Sequence, residues 1–186
     1  SDKHYQPGLV IHSAGWPLGF GRKSTGGGFL YHLADNQVVV GLITDLSYSN
    51  PHLSPFDEFQ RYKHHPKISK YLTDGERIAY GARALTKGGL QSQPKMSMPG
   101  GLLIGDNAGT LNSAKIKGSH TAMQSGMLAA EAVAQAIEQG RENDDLSDFG
   151  EKFERSSTFA ELHLQRNFSP AIHKLGTLLG AAYAFI

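Results

Sequence analysis

The stretch GGLLIGDNAGTLNSAKIKGSHTAMQSGMLAAEA, residues Gly100–Ala132, decides the fold class. Leu102–Ile104 is a short, fully apolar run of the kind found inside a parallel sheet with both faces covered. Gly105-Asp106-Asn107-Ala108-Gly109 then reads as a tight turn carrying one carboxylate. A long helix is predicted from about Ser113 or Ala114 to Gln139, with Gly140 placed to end it in the left-handed conformation. Strand, turn and helix in that order put the turn at the carboxyl end of a strand, where open α/β sheets bind ligands. Unpaired amides at the helix start attract an anion. A carboxylate beside them accepts hydrogen bonds from ligand hydroxyls, so Asp106 suits a ribose or polyol. Gly118, Ala122, Gly126, Ala129, Ala132 and Ala136 recur at three- and four-residue spacing and leave one helical face almost bare. Such a stripe serves equally a helix packed on a sheet, and Gly-Asp is a common turn pair. Taken singly, these residues decide nothing about a ligand.

Upstream, Gly8–Trp16 reads as a strand ended by Pro17 and the glycines at 19 and 21. Gly28–Leu33 and Gln37–Leu46 are β-rich runs separated by Ala34-Asp35-Asn36, a hairpin signal at the heart of an antiparallel sheet. Ser54-Pro55, followed by Asp57 and Glu58, caps a helix to about His64. Lys67–Leu72 adds a turn or two before Asp74-Gly75. Arg77–Leu85 is strand-like, and Lys87–Gly101 is rich in loop residues. Downstream, Arg141–Ser147 is a polar linker. Asp148 onward gives one or two amphipathic helices interrupted near Pro170. This order predicts an α+β fold, or the later portion of a two-domain α/β enzyme. Residues 1–99 form an antiparallel-sheet domain with a helical insert near 54–72, 100–140 a strand–turn–helix unit, and 141–186 a helical segment.

Composition narrows the function. The 186 residues carry 18 basic and 17 acidic side chains, for a formal net charge of +1. No basic footprint for nucleic acid is present. The absence of cysteine excludes disulfides, thiolate catalysis and any iron–sulfur or cysteine–zinc site within these residues. His64 and His65 point about 100° apart on a helix and do not share one ion from a common face, so no metal site is expected. Gly19-Phe20-Gly21-Arg22-Lys23-Ser24 only approximates a dinucleotide fingerprint or a P-loop. No apolar run approaches the roughly 20 residues of a spanning helix, and no signal peptide stands at Ser1. Leu175–Ile186 is uncharged and still apolar where the sequence stops. The expectation is a chain cut inside an element.

Taken together, G-D-x-A-G after an apolar strand, with Gly118 in a small-faced helix, resembles the second flavin motif of glutathione-reductase-like FAD enzymes. Longer strings sharpen this. GWPL at Gly15, GGGFLYHL at Gly26, NPHLSPFDEFQRYKHHP at Asn50, RIAYGARAL at Arg77, GGLLIGDNAG at Gly100, KIKGSHTAM at Lys115 and LQRNFSPAIHKLGTLLGAAY at Leu164 occur together. They are similar to the electron transfer flavoprotein–ubiquinone oxidoreductase family, in order and spacing, over nearly the whole chain.

The resemblance implies FAD held by Gly105, Asp106, Ala108 and Gly109 in the turn and by Asn112, Ile116, Lys117, Gly118 and Thr121 around the helix start. In it Asp106 takes the ribityl hydroxyls, and the amides of Ile116–Gly118 face the flavin pyrimidine edge. It further implies a quinone carbonyl at the backbone of Gly26 and Gly27, with Thr25 standing where the family commonly carries an aromatic. Residues 1–99 become the quinone domain and 100–140 the last part of an FAD domain. The implied partners are electron transfer flavoprotein, ubiquinone and a membrane surface bound peripherally. That surface is the cytoplasmic side of a bacterial inner membrane or the matrix side of the mitochondrial one. A 4Fe–4S cluster and the amino-terminal glycine fingerprint are expected outside these residues, and weak or no FAD retention by these residues alone. No proton-transfer residue is identified. An isoprenoid (geranylgeranyl) reductase of the same superfamily and a cofactor-free membrane-docking module are the alternatives.

Overall fold

The computed structural model describes residues 4–19 and 25–184. The fingerprint-like residues 20–24 lie outside them, as do the last two residues of the apolar tail. The fold is α+β, as expected. Two compact units divide the chain: residues up to Gly81 with Ile172–Ala182, and Ala82–Ala171 with Tyr183 onward.

In the first unit, β1 (Val10–Ala14), β2 (Gly26–His32) and β3 (Val38–Thr44) form an antiparallel sheet in that order. Val10 stands opposite Tyr31, and Leu30 opposite Val40. Asp35 and Asn36 turn the β2–β3 hairpin with φ of 54° and 55°, and Gln37 N–H donates to Ala34 O at 3.1 Å. Positive φ at both central residues matches the twist of the flanking strands, and short polar side chains tolerate it. The period-two alternation of β2 buries Leu30 and His32 on one face. Leu30 meets Tyr62 of α1 (Pro55–Lys63) and Ile68 and Tyr71 of α2 (Pro66–Leu72) in one core. Ser54 Oγ caps α1 by accepting from Asp57 N–H at 3.3 Å. His65 Nδ1 caps α2 by accepting from Lys67 N–H at 3.2 Å, and a proline opens each helix.

Residues 77–85 depart from the prediction. They form no strand, and Ile78 and Tyr80 are 73% and 90% exposed. Strand propensity is realised only against a pairing edge, and none of the described strands pairs with this segment.

In the second unit, β4 (Ser97–Met98) and β5 (Gly101–Leu102) make a two-residue antiparallel ladder turned by Pro99 and Gly100, where φ is 75°. The apolar run at 102–104 is therefore a hairpin arm and not a strand within a parallel sheet. The helix α3 spans Ser119–Glu138, starting five or six residues later than predicted. Its end is a Schellman motif: Arg141 N–H donates to Ala136 O and Gly140 N–H to Ile137 O, with Gly140 at φ 66°. Two helices follow in this unit, α4 (Asp148–Glu154) and α5 (Ser157–Leu164), and α6 (Phe168–Ala184) begins in it, with Ile172–Ala182 belonging to the first unit. The break in α6 falls at Gly176, with φ 79° and ψ 172°. Pro170 sits in its first turn, where a missing N–H removes no helical bond. The buried face of α3 runs Thr121, Ser125, Ala129, Ala132 and Ala136. The three alanines pack with Phe149, Phe153 and Leu162. No helix among the described residues is long and apolar enough to cross a membrane.

Candidate functional site

Gly105–Ala108 form one 3₁₀ turn, with Gly105 at φ 61° and Gly109 leaving it at φ 79°. Both conformations are open to glycine at no steric cost. Gly105 lies so close to α3 that a Cβ there would meet Ala122 Cβ at 3.4 Å. Its N–H donates to Ser125 Oγ at 2.9 Å, and that hydroxyl donates to Ala122 O at 2.8 Å. Gly109 N–H to Asp106 O and Thr110 N–H to Gly105 O close the turn. Ala108 is fully buried in the helical core. Its methyl anchors the turn from beneath.

Asp106 aims at the start of α3. A Cβ on Gly118 would lie 3.0 Å from Asp106 Oδ1, so the glycine leaves room beside the carboxylate. Oδ1 is buried and has no hydrogen-bond partner among the described residues, and the same holds for Thr110 Oγ1. An unpaired buried polar atom costs about 1–3 kcal/mol. Gly118 is also the N-cap of α3 and has no side chain to satisfy the first-turn amides. A buried acceptor with no partner among the described residues thus stands beside a helix start that no side chain caps. Thr121 is occupied differently, donating from Oγ1 to Gly118 O at 2.8 Å.

Asn112, Ile116 and Lys117 are expected around the start of a helix beginning near Ser113; with α3 starting at Ser119 they form instead a tight loop ahead of it. Asn112 N–H donates to Lys117 O at 3.0 Å and Lys117 N–H returns to Asn112 O at 3.2 Å. Asn112 Oδ1 accepts from Lys115 N–H at 2.9 Å. This side-chain bond offers the backbone an alternative to helix. Ile116 takes φ 56°, which costs a β-branched residue about 1–2 kcal/mol. The Lys117 side chain points to solvent.

Glu161 of α5 gathers the donors around this loop: Asn112 Nδ2, His120 Nε2 at 3.0 Å and Lys115 Nζ at 3.4 Å. Partial burial pushes the carboxyl up, but the hydrogen bonds from Asn112, His120 and Lys115 prevail and hold it below the usual range.

The sheet unit carries Gly26 and Gly27. A Cβ on Gly26 would collide with Ile43 O, and one on Gly27 with Ser13 O. Neighbouring strands therefore demand both glycines. Gly28 is bare for a similar reason, because the Tyr62 ring fills the space of its side chain. Ser13 Oγ ties the group together, 3.0 Å from Tyr62 Oη and accepting from Gly28 N–H at 3.2 Å. Thr25 is buried and donates to the Asp45 carboxylate. An open groove of about 570 Å³ is lined by Trp16, Arg61, His64, His65 and Pro66, and by neither Gly26 nor Gly27. Arg61 lies over the Trp16 ring at 5.3 Å.

Comparison with known proteins gives these two places a common context. Residues 1–85 match the family model described as ETF-QO, ubiquinone-binding. Over 183 residues the chain is 63% identical to the electron transfer flavoprotein-ubiquinone oxidoreductase of Pseudomonas aeruginosa, covering 98% of this chain and 33% of that protein. Over nearly its whole length the chain is similar to the electron transfer flavoprotein–ubiquinone oxidoreductase family. The probable family member of Acinetobacter baylyi is 53% identical, with 98% of this chain and 35% of the relative aligned. The mitochondrial protein of Rattus norvegicus is 48% identical over all of this chain and 31% of its own length. The chain thus spans about a third of the length of the curated relatives it matches.

The predicted turn residues come together in the helical unit, while Gly26 and Gly27 belong to the sheet unit. Thr110, Ser125, His120 and Glu161 are absent from the sequence-based site. Ser125 stands four residues after Thr121, and this pair of hydroxyls on a buried helical face was a readable signal. Glu161 left none, because its partners lie 41 and 49 residues away.

Proposed function

We propose that this chain supplies the ubiquinone-binding region and the flavin-facing turn of an FAD-dependent oxidoreductase. It would pass electrons from reduced electron transfer flavoprotein to ubiquinone. Residues 1–99 would serve the quinone and 100–140 the flavin, and the helices of 141–171 would brace the turn. The observation that carries the flavin reading is Asp106 Oδ1, buried beside Gly118 at the start of α3 and without a hydrogen-bond partner among the described residues. A ribityl chain brings hydroxyl donors to such an acceptor. The first-turn amides of α3 and the N–H groups of Ile116 and Gly118 offer donors to an electron-rich ring edge, while the Lys117 N–H is held by Asn112 O. Gly105, Gly109 and Gly118 keep side chains out of the way. When bound, FAD supplies a centre that exchanges one or two electrons, which suits a junction between an electron donor and a quinone. The chain has no cysteine, so a 4Fe–4S cluster would be held by residues beyond these. For the quinone, the match over residues 1–85 supports Gly26 and Gly27, which fall within the matched segment. Peripheral contact with a membrane is in keeping with Leu178, Leu179 and Tyr183, all exposed on α6.

The test is the purified full-length protein. It is expected to show flavin absorbance and to reduce ubiquinone when given reduced electron transfer flavoprotein. Asp106→Ala is expected to lower FAD affinity by about 10- to 100-fold, the worth of hydrogen bonds to a charged group, with no loss of apoprotein stability. A colourless full-length protein would overturn the flavin reading. A flavoprotein that reduces the double bonds of an isoprenoid lipid and leaves ubiquinone untouched would overturn the quinone reading.

A further inference from the structure

We propose that Glu161 is a positioning residue: from α5 it sets the loop that presents the Ile116–Gly118 backbone, and through that loop the affinity for flavin. The second half of this statement rests on the flavin reading above. The first half stands on geometry alone.

Ile116 occupies a left-handed conformation that its own side chain disfavours. Such a residue persists only where its surroundings fix it. Within the loop, the reciprocal backbone pair between Asn112 and Lys117 and the bond from Lys115 N–H to Asn112 Oδ1 do part of this. All of these bonds pass through Asn112 or end on it. Asn112 is 1% exposed, so its side-chain orientation decides whether the loop closes.

Glu161 fixes that orientation. The Asn112 amide spends its oxygen on Lys115 N–H, which leaves Nδ2 as a buried donor in need of an acceptor. Glu161 Oε1 is that acceptor. The same carboxylate receives Lys115 Nζ from within the loop and His120 Nε2 from the first turn of α3. Its donors therefore precede and follow the segment Ile116–Gly118. One carboxylate on a separate helix ties together both ends of a strained turn, through charge-assisted bonds stronger than neutral ones. Its own ionised state is favoured by the donors it gathers.

The experiment compares Glu161→Ala and Glu161→Gln with the wild type in the full-length protein. It reads amide hydrogen exchange over Asn112–Gly118 in the apoprotein, the FAD dissociation constant and the flavin midpoint potential. Glu161→Ala is expected to speed exchange of these amides about tenfold or more and to weaken FAD binding by a similar factor. The midpoint potential should shift as the Ile116–Gly118 donors lose their fixed place. Glu161→Gln keeps an oxygen for Asn112 Nδ2 and is expected to restore most of the exchange protection. Unchanged exchange in Glu161→Ala would overturn the clamp. Faster exchange with unchanged FAD affinity and potential would overturn the positioning role. A wild type that binds no FAD would overturn the flavin reading, while the exchange arm would still decide whether Glu161 holds the loop.

Discussion

The molecule has two glycine-rich places with opposite accounts. At Gly26–Gly28 the missing side chains are explained from within the protein, because Ile43 O, Ser13 O and the Tyr62 ring take their space. Tyr62 Oη and Gly28 N–H both find Ser13 Oγ. At Gly105–Gly118 the bare backbone of Gly118 opens beside Asp106 Oδ1, a buried atom with no hydrogen-bond partner among the described residues. Glycine content alone is thus a poor pointer to a ligand. Glycine beside unsatisfied buried polarity is a better one, since each unpaired atom is a cost that a bound group removes.

The largest expected effect breaks the first place. Tyr62 is 1% exposed and fills the hollow over Gly28. Tyr62→Ala empties that hollow and is expected to cost about 3–5 kcal/mol, as for other large aromatic deletions. Denaturant titration of the full-length protein would read it as a lower midpoint. A loss under 1 kcal/mol would mean that Gly28 is bare for some reason other than packing.

The next effect separates the two kinds of polar group within the second place. Ser125 Oγ is the partner of the buried Gly105 N–H. Ser125→Ala leaves that donor unpaired and is expected to destabilise the apoprotein by about 1–3 kcal/mol. Asp106→Ala removes an atom that has no partner among the described residues, so its apoprotein should be no less stable than the wild type. Equal losses in the two variants would show that Asp106 serves the turn and not a ligand.

How much of this was legible in the sequence depended on how far each residue had to reach. The Asp35-Asn36 hairpin, the Ser54 cap and the Gly140 helix end were all readable, because each is set by a residue acting on its own backbone. Arg77–Leu85 misled because its β-branched and aromatic pattern describes a strand only where an edge receives it. The start of α3 was displaced because Asn112 bonds forward to Lys115 and Ile116 takes positive φ, neither of which periodicity records. At the site, Asp106 and Gly118 stood out as motif residues. Glu161 did not, since nothing around it in the chain hints at Asn112.

The smallest prediction tests the contrast from the other side, because the sheet unit also holds an unpaired buried atom. His32 is 5% exposed, its Nδ1 accepts from Gln6 N–H at 3.0 Å, and its Nε2 has no partner among the described residues. It sits between the rings of Tyr5 and Tyr71, with no glycine-made space for a ligand. Burial holds the imidazole below its ordinary value of 6.5. The sign follows from linkage. Above about pH 6.5 both folded and unfolded chains keep His32 neutral, and its contribution to stability is fully present. As pH falls below that, the unfolded chain takes up the proton first, so stability declines until pH passes the lower folded value. His32→Asn offers Gln6 N–H an oxygen in place of Nδ1 and does not titrate. Between pH 7 and 5 the wild type is expected to lose more stability than this variant, measured as the difference in denaturant midpoints. Equal slopes would mean that His32 accepts a proton without penalty. In that case an unpaired buried atom would be an ordinary feature of this fold, and Asp106 Oδ1 would lose its weight as a sign of a ligand.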